Sequence, residues 1–296
     1  MKIVIAGGTG ALGSHLVSRL KDHEVIILTR RNNQKKNQNI SLVNYSEDIN
    51  VWANHLKGSD VIINLVGEPI ANKRWSDKQK KIILNSRLKP IQKISDALNL
   101  INHNPKIIMS ASAVGYYQSS DSPVSEDSLP GKDFLSDVCI KWEKEAVKKF
   151  ADKTQQLILL RIGIVLDNNS GMLSRLTPLF KLCLGATVGN GRQYVPWIHI
   201  NDVSGIIKYL INSKFEGPVN LVSPQIDNNL KFSKKLGRAL NRPVFLNAPK
   251  FLIKALLGEM SVMILKSSNV VPKAILDSNY KFEFKKLDNA LNNLLS

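Results

Sequence analysis

The feature that most constrains the fold is a glycine-rich turn close to the start of the sequence. The run Gly7–Gly13 has the spacing G-x-x-G-x-x-G, follows the apolar segment Lys2–Ala6 and opens an apparent helix, Ala11–Lys21. A strand, a glycine turn and a helix N-terminus in this order suit a pyrophosphate, because backbone N–H groups can approach it closely. The alternative is a tight turn without a ligand. We predict a dinucleotide-binding βα unit here.

Short apolar runs rich in β-branched residues alternate with helical stretches along the first two-thirds of the chain. Continuous runs of this kind are typical of parallel strands that are buried on both faces. We predict strands at Lys2–Ala6, Glu24–Thr29, Asp60–Leu65, Lys106–Ser110, Leu157–Arg161 and Val219–Val222, and further helices at Asp77–Leu100 and Phe134–Phe150. The alternation predicts an α/β fold of the Rossmann type, with a doubly wound parallel sheet.

The pattern changes after about residue 166. A turn cluster, Asp167–Gly171, precedes a Leu-rich helix and the glycine-rich segment Gly185–Gly191, and from Asn229 onward the chain is mostly helical in pattern. We predict a nucleotide-binding Rossmann domain over residues 1–228, in which 167–197 contribute to a substrate cleft. A small, mostly helical substrate-binding lobe over residues 229–296 would complete the protein.

Composition restricts the partners. The 296 residues include 41 Lys+Arg, 24 Asp+Glu and two cysteines, and the formal charge is +17. Two cysteines exclude a disulfide scaffold, and we expect no metal site. We find neither a membrane-spanning run nor a signal peptide, so we expect a cytoplasmic monomer or homodimer without a membrane partner. The charge suggests an anionic partner, but a nucleic acid is disfavoured because aromatic residues do not interleave with the basic ones.

The end of the second predicted strand indicates which dinucleotide is bound. An acidic residue there favours NAD, whereas arginine accommodates the 2′-phosphate of NADP. The sequence has Thr29, Arg30 and Arg31 at this point and no acid. A guanidinium matches the geometry of phosphate, so we predict NADP(H) as the cofactor. The alternative is that both arginines are solvated on a surface loop.

Several segments, spread nearly from end to end, carry a resemblance to a known family. They are Gly7–Gly13, Asn64–Ile70, Arg74–Arg87, Ser112–Tyr117, Val138–Glu143, Pro196–Asp202, Gly258–Glu259 and Val271–Pro272. With them the chain resembles the extended short-chain dehydrogenase/reductase superfamily, in its NAD-dependent epimerase/dehydratase-like branch. Within that branch it is similar to an atypical subgroup of uncharacterised activity called epimerase family proteins, some of which carry names linked to inhibition of cell division.

The resemblance implies further cofactor contacts. Leu65 and Val66 would lie against the adenosine and ribose, Arg87 near the cofactor, and Val165 near the nicotinamide. Each has a simpler explanation: a strand-end core residue, or in Arg87 one cation on a basic helix. The complete set of predicted cofactor-binding residues is Gly7, Thr9, Gly10, Leu12, Gly13, Thr29, Arg30, Arg31, Leu65, Val66, Arg87 and Val165.

Catalysis in the superfamily uses a Ser, a Tyr and a Lys four residues after the Tyr, which lowers the pKa of the phenol. Ser112 matches the Ser, but Leu135 and Cys139 stand at the positions of the Tyr and the Lys. We therefore name Ser112 and Tyr116 as the catalytic candidates. Cys139 is either a reactive thiolate or a small buried residue. His199 is either a catalytic or a structural histidine.

Two functions follow and stay open. The first is an NADP(H)-dependent epimerase or oxidoreductase that acts on an unidentified small, anionic or sugar-derived substrate. The second is a non-catalytic NADP(H)-binding regulatory protein, linked to division, that has lost the Tyr-x-x-x-Lys pair.

Overall fold

The computed structural model describes residues 1–30 and 39–296. Its strands, in chain order, are β1 (Lys2–Ala6), β2 (Glu24–Thr29), β3 (Ile40–Asn44), β4 (Val61–Asn64), β5 (Ile107–Ala113), β6 (Ser120–Val124), β7 (Gln156–Ile162), β8 (Ile164–Leu166), β9 (Ala186–Val188), β10 (Tyr194–Val195), β11 (Trp197–His199), β12 (Gly217–Leu221), β13 (Asp227–Asn228), β14 (Leu246–Ala248) and β15 (Ser268–Val270). Its α-helices are α1 (Ala11–Ser18), α2 (Ile49–Trp52), α3 (Asp77–Leu100), α4 (Phe134–Phe150), α5 (Gly171–Lys181), α6 (Ile200–Ile211), α7 (Asn229–Ala239), α8 (Lys250–Leu257), α9 (Val262–Leu265), α10 (Lys273–Asp277) and α11 (Leu287–Leu295). Short 3-10 turns lie at Ala53–Leu56, Val114–Tyr116 and Gly258–Ser261.

Seven of the strands form one parallel sheet in the order β12-β7-β5-β4-β1-β2-β3. The chain first builds outward from β1 to β3, and then returns to the other side of β1 and builds outward from β4 to β12. The order of the strands therefore reverses between β1 and β4, and ligands of such sheets bind at the carboxyl ends of the strands at this point. The predicted Rossmann-type fold is confirmed.

Helices cover both faces of the sheet because neighbouring strand residues point to opposite sides. Ile3 and Ile5 pack in one core with α1 and α6, whereas Val4 and Ala6 pack in another with α3 and α4. Strands with two buried faces contain few polar positions, which is why continuous apolar runs predicted them.

Capping residues set the starts of the two long helices at the residues that the sequence predicts. The Ser76 hydroxyl accepts a hydrogen bond from the Gln79 N–H before α3, and the Asp133 carboxylate accepts one from the Ser136 N–H before α4. These bonds satisfy N–H groups that have no partner within the helix. α3 and α4 pack against each other on one side of the sheet.

A smaller lobe lies beyond the carboxyl end of the sheet. Its core combines β8, α5 and β11 with α7 and α11, through buried side chains such as Leu173, Trp197, Phe232 and Leu291. Short strand pairs, among them β9 with β14 and β6 with β15, join its segments. The division of the chain at residue 228 stays a prediction, because this core contains side chains from both sides of it.

Across residues 1–30 and 39–296, no helix has both the length and the apolar character needed to cross a membrane. The same residues contain no group of three or more His, Cys, Asp or Glu side chains that could hold a metal ion.

Candidate functional site

The glycine turn lies at the reversal point of the sheet and requires glycine at two positions. Gly7 has a φ of 86°, and a Cβ on it would lie 3.1 Å from the carbonyl carbon of Leu65. A Cβ on Gly13 would lie 2.2 Å from the carbonyl oxygen of Gly7. The first glycine therefore lets the turn approach the end of β4, and the last lets α1 pack against the turn.

The N-terminus of α1 is open. Gly10 is the N-cap and has no side chain to accept the first N–H groups of the helix, and Thr9, Gly10 and Ala11 are exposed. A cleft of about 330 Å³ lies between α1 and the loop after β8, and its lining includes Ala11, His15 and Asp167. Unpartnered N–H groups and the helix dipole make this end of a helix suitable for phosphate.

Three of the predicted cofactor residues border this edge of the sheet. Leu12, Leu65 and Val165 are half-buried and pack against the same core. Val66 is also half-buried and packs against the core on the opposite face. The structure thus brings apolar residues from α1, from the end of β4 and from β8 to the same edge of the sheet. Their cofactor contacts stay predictions.

The residues at the end of β2, Thr29 and Arg30, differ in exposure. Thr29 is buried, and its carbonyl accepts a hydrogen bond from the Tyr45 N–H at 3.1 Å. Arg30 is exposed, and no carboxylate within the two described ranges forms an ion pair with it. Arg31 lies outside the described residues. An exposed guanidinium at this position is available to a phosphate group.

Arg87 is a second cation beside the site. Its Nη1 donates to the carbonyl oxygens of Ile83 at 2.9 Å and Glu68 at 3.2 Å, and its guanidinium lies 4.9 Å from the ring centroid of Trp142. Burial lowers the pKa of Arg87. None of the ion pairs found in the described part of the chain includes it. The Glu68 carboxylate favours the charged form of Arg87 from beyond ion-pair distance, and an anionic ligand would stabilise this half-buried cation further.

Ser112 belongs to a buried hydrogen-bond network. Its hydroxyl donates to Glu143 at 2.6 Å, and Arg161 donates to both carboxylate oxygens of Glu143 at 2.9 Å. Arg161 also donates to the Tyr117 hydroxyl, which in turn donates to Asn220. Burial raises the pKa of Tyr117 to about 12. The Ser112 hydroxyl is therefore already hydrogen-bonded to a buried carboxylate, a pairing that no local sequence pattern indicates.

Tyr116 lies on the outer side of the network. Its ring stacks on the Arg161 guanidinium, with 3.7 Å between the guanidinium carbon and the ring centroid. It lines a cleft of about 380 Å³ beside α4, together with residues that include Lys144 and Val147. This cleft shares no lining residue with the one at the glycine turn. Ser112 nevertheless lies at the carboxyl end of β5, beside β4, and Tyr116 follows it in the chain. The catalytic role of both residues stays a prediction.

The positions of the missing Tyr and Lys are filled by packing. A Cβ on Gly115 would lie 3.3 Å from the Leu135 Cβ and 3.6 Å from the Cys139 Sγ. Burial raises the pKa of Cys139 to about 12, so the thiol is neutral at physiological pH. Of the two alternatives for Cys139, the burial and the neutral thiol favour a small buried residue over a reactive thiolate.

Sequence reasoning missed Lys266, which approaches this region from the lobe. Its ammonium donates to the Asp133 carboxylate at 2.8 Å and to the Gly115 carbonyl at 3.3 Å, and its side chain is 6% exposed. Asp133 is the N-cap of α4, so Lys266 holds the lobe against the start of the helix that carries Leu135 and Cys139. No local pattern could have revealed it, because the pairing is formed only by the tertiary fold.

His199 is structural. Its Nδ1 accepts the Asn201 N–H at 3.0 Å, and its ring stacks on Phe284 at 3.9 Å between centroids. Burial lowers the pKa of His199 to about 4, which keeps the imidazole neutral at physiological pH. This side chain caps α6 and packs against the C-terminal segment.

The sheet is parallel with this strand order, a glycine turn lies at its reversal point, and the exposed Arg30 follows β2. Together these features define a nucleotide-binding protein of the Rossmann type. Residues 3–135 match the NAD dependent epimerase/dehydratase family, and residues 248–294 match a domain of unknown function, DUF1731.

Relatives of the same kind match over nearly the whole chain. The chain is 34% identical to the epimerase family protein SDR39U1 homolog, chloroplastic, of Arabidopsis thaliana, over 98% of this chain and 86% of that protein. It is 33% identical to the epimerase family protein YfhF of Bacillus subtilis, over 100% of this chain and 98% of that protein. The crystal structure of the human epimerase family protein SDR39U1 (isoform 2), which contains NADPH, superimposes with a TM-score of 0.86 at 30% identity, over 100% of this chain and 99% of that one. The chain belongs to this family of epimerase family proteins, within the extended short-chain dehydrogenase/reductase superfamily.

Proposed function

We propose that the protein binds NADP(H) at the glycine turn, along the carboxyl edge of the sheet. The observation that carries the proposal is the exposed Arg30 at the end of β2, where no acidic residue is present to select NAD. The open N-terminus of α1 and the unpaired cation Arg87 support it, because both suit an anionic ligand. A human relative that is 30% identical was crystallised with NADPH.

The residues present fit this cofactor. The backbone of Thr9–Gly13 would hold the pyrophosphate, because Gly7 and Gly13 leave room for a close approach of the chain. Arg30, together with Arg31, would hold the 2′-phosphate. Leu65 and Val66 would contact the adenosine portion, Val165 would lie near the nicotinamide, and Arg87 would offset the remaining negative charge. When bound, the cofactor supplies hydride transfer, and the protein supplies binding and orientation.

The proposed activity is an epimerase or oxidoreductase reaction on a small, anionic or sugar-derived substrate. Membership of the epimerase family supports it. The lobe supports it as well, since it lies over the carboxyl end of the sheet, where substrates of such folds bind.

A second candidate function, regulation by NADP(H) occupancy without turnover, is favoured by one specific observation. The Ser112 hydroxyl is already engaged by the buried Glu143, and the Tyr and Lys positions are occupied by the packed side chains of Leu135 and Cys139. A protein with these features can keep a dinucleotide site and lack a proton donor.

The test of the proposal is calorimetric titration of the protein with NADPH and with NADH. We expect NADPH to bind more tightly, and Arg30→Gln to weaken NADPH binding by about ten- to a hundredfold, because a charge-assisted hydrogen bond is lost. NADH binding should be unchanged in this variant. Arg238→Gln, on the exposed surface of α7, is the matched control. Equal or tighter binding of NADH by the unmodified protein would refute the proposal.

Turnover separates the two candidate functions. NADPH oxidation is followed by absorbance in the presence of sugar nucleotides and small carboxylates, and NADP⁺ reduction with the corresponding alcohols. Turnover that is lost in Ser112→Ala, with NADPH affinity retained, supports the enzyme. Tight NADPH binding with no turnover of any substrate supports regulation.

A further inference from the structure

Helix α8 is apolar and is covered on one side only. None of its side chains is buried. Ile253 and Leu257 form the inner row, and Leu257 packs beside Met260 on the ends of α3 and α4. Phe251, Leu252 and Leu256 form the outer row, with exposures of 69%, 47% and 66%. A water-exposed row of this size on a fixed helix indicates a contact surface.

The helix is held firmly in this orientation. The Arg74 guanidinium donates to the carbonyl oxygens of Ala255 and Leu256 at its C-terminal end. Lys80 forms an ion pair with Glu259, just after the helix, at 2.5 Å. At the other end, the Lys250 stem packs against Gly189. The exposed row therefore belongs to a structured element rather than to a loose segment.

Neighbouring elements extend the same surface. β14 pairs in parallel with β9, with Leu246 opposite Ala186, so the exposed Phe245 and Leu246 lie at the same end of this two-stranded sheet as Leu184, which precedes β9. Arg242 donates to the carbonyl oxygen of Lys181 at 2.9 Å, which brings the end of α5 alongside. All the apolar members of this surface are exposed. We call it the lobe face, and it consists of Leu182, Leu184, Phe245, Leu246, Phe251, Leu252 and Leu256.

The two segments that carry the lobe face contain basic residues and no acidic ones. Residues 168–201 and 229–258 contain no Asp or Glu, and they contain ten basic residues: Arg175, Lys181, Arg192, Lys231, Lys234, Lys235, Arg238, Arg242, Lys250 and Lys254. Four of them border the face, Lys181, Arg242, Lys250 and Lys254, and all four are exposed. Among the ion pairs of residues 1–30 and 39–296, none involves these four. Protruding Phe and Leu side chains with flanking lysines are the pattern of a surface that enters a bilayer interface.

We propose that the lobe face docks on an anionic lipid bilayer. A second copy of the chain is a poor occupant, because its basic residues would face those of the first. The seven apolar side chains are exposed, and the cations beside them have no carboxylate in an ion pair within the described residues, which favours an extended anionic surface. The expectation of no membrane partner came from the lack of a spanning segment, and peripheral docking needs none. The docking does not depend on the cofactor.

The experiment is flotation of the protein with vesicles of phosphatidylcholine, alone or mixed with phosphatidylglycerol, at low and high salt. We expect binding to the mixed vesicles only, and weaker binding as salt rises, because surface charge is screened. The double variant Phe251→Ser/Leu256→Ser should lower the partition coefficient about tenfold or more. The double variant Lys250→Gln/Lys254→Gln should lower it on the order of tenfold at low salt.

The matched control is the double variant Val51→Ser/Leu129→Ser, which removes two apolar side chains with exposures of 57% and 84% outside the lobe. It should bind the mixed vesicles as the unmodified protein does. Circular dichroism and urea unfolding check that every variant is folded. The proposal is overturned if mixed vesicles do not bind the protein, if neutral vesicles bind it equally, or if Phe251→Ser/Leu256→Ser binds normally. It is also overturned if light scattering shows a dimer that this variant abolishes, since a second copy would then occupy the face.

Discussion

The two polar regions at the carboxyl end of the sheet are built in opposite ways. At the glycine turn, α1 begins without a side-chain cap, and Arg30 and Arg87 have no carboxylate partner in the described part of the chain. Around Ser112, its hydroxyl, the Glu143 carboxylate, the Arg161 guanidinium and the Tyr117 hydroxyl are hydrogen-bonded to one another. Open donors suit a ligand, whereas a closed buried network stabilises one arrangement of the fold. The difference indicates that binding and stability are divided between the two regions.

We expect the largest loss of stability when the buried hydrogen-bond network of Ser112, Glu143 and Arg161 is broken. Glu143→Gln leaves the buried Arg161 without its carboxylate, and we expect the free energy of unfolding to fall by about 4 kcal/mol. Urea unfolding measures this change. Asp137→Asn is the control on the same helix, because it removes only an exposed ion pair with Lys141 and should cost no more than about 0.5 kcal/mol. A similar loss in both variants would mean that the network does not stabilise the fold.

The second prediction tests the glycine turn, where the close packing of backbone atoms requires a glycine. Gly13→Ala places a methyl group where the Gly7 carbonyl oxygen and the Gly8 Cα lie within 2.6 Å, so the turn must move. We expect a loss of about 3 kcal/mol in unfolding free energy and no measurable NADPH binding. Ser18→Ala, at the exposed end of α1, should change neither. Normal NADPH affinity in Gly13→Ala would contradict the placement of the cofactor at this turn.

The third effect is a pH dependence of stability. The pKa of His199 is about 4 in the folded protein and close to 6.5 when the chain is unfolded, so the unfolded state binds the proton more readily. The stabilisation from the neutral imidazole is complete above pH 6.5 and is lost as the pH falls toward 4. Between pH 7 and pH 5 we expect the free energy of unfolding to fall by about 2 kcal/mol from this group. The same urea series on His199→Gln should have a flatter pH profile. An unchanged slope would show that His199 titrates normally.

The smallest expected change in stability, that of Ser112→Ala, tests whether Ser112 stabilises the fold or contacts the cofactor. Ser112→Ala removes one hydrogen bond to Glu143, whose other partners remain, and should cost about 1.5 kcal/mol in unfolding free energy. NADPH affinity should not change, because the Ser112 hydroxyl is already hydrogen-bonded to the Glu143 carboxylate. Thr154→Val, which removes an exposed hydroxyl that donates to the Lys106 carbonyl, is a comparison for an unburied bond. A loss of NADPH affinity in Ser112→Ala would show that the glycine turn and the Ser112 network belong to one site.

Much of the sheet could be predicted because its strands are buried on both faces and therefore carry continuous apolar runs. Glu24–Thr29 and the helices Asp77–Leu100 and Phe134–Phe150 have the bounds that the sequence predicts. The edge strand Ile40–Asn44 was missed, because only one of its residues is buried and its sequence mixes polar with apolar positions. The C-terminal part was predicted to be mostly helical, and it also contains the short strands β14 and β15, whose partners β9 and β6 are distant in sequence.

The sequence by itself determined the nucleotide-binding fold, the glycine turn and the cation after β2. These features are local, since a strand, a turn and a helix start are each set by neighbouring residues. Only the tertiary structure decided that the Ser112 hydroxyl donates to Glu143, that Lys266 pairs with Asp133, and that Phe251, Leu252 and Leu256 of α8 stay exposed. Such pairings join residues far apart in the chain. Their energies depend on burial and on partners that no local pattern contains.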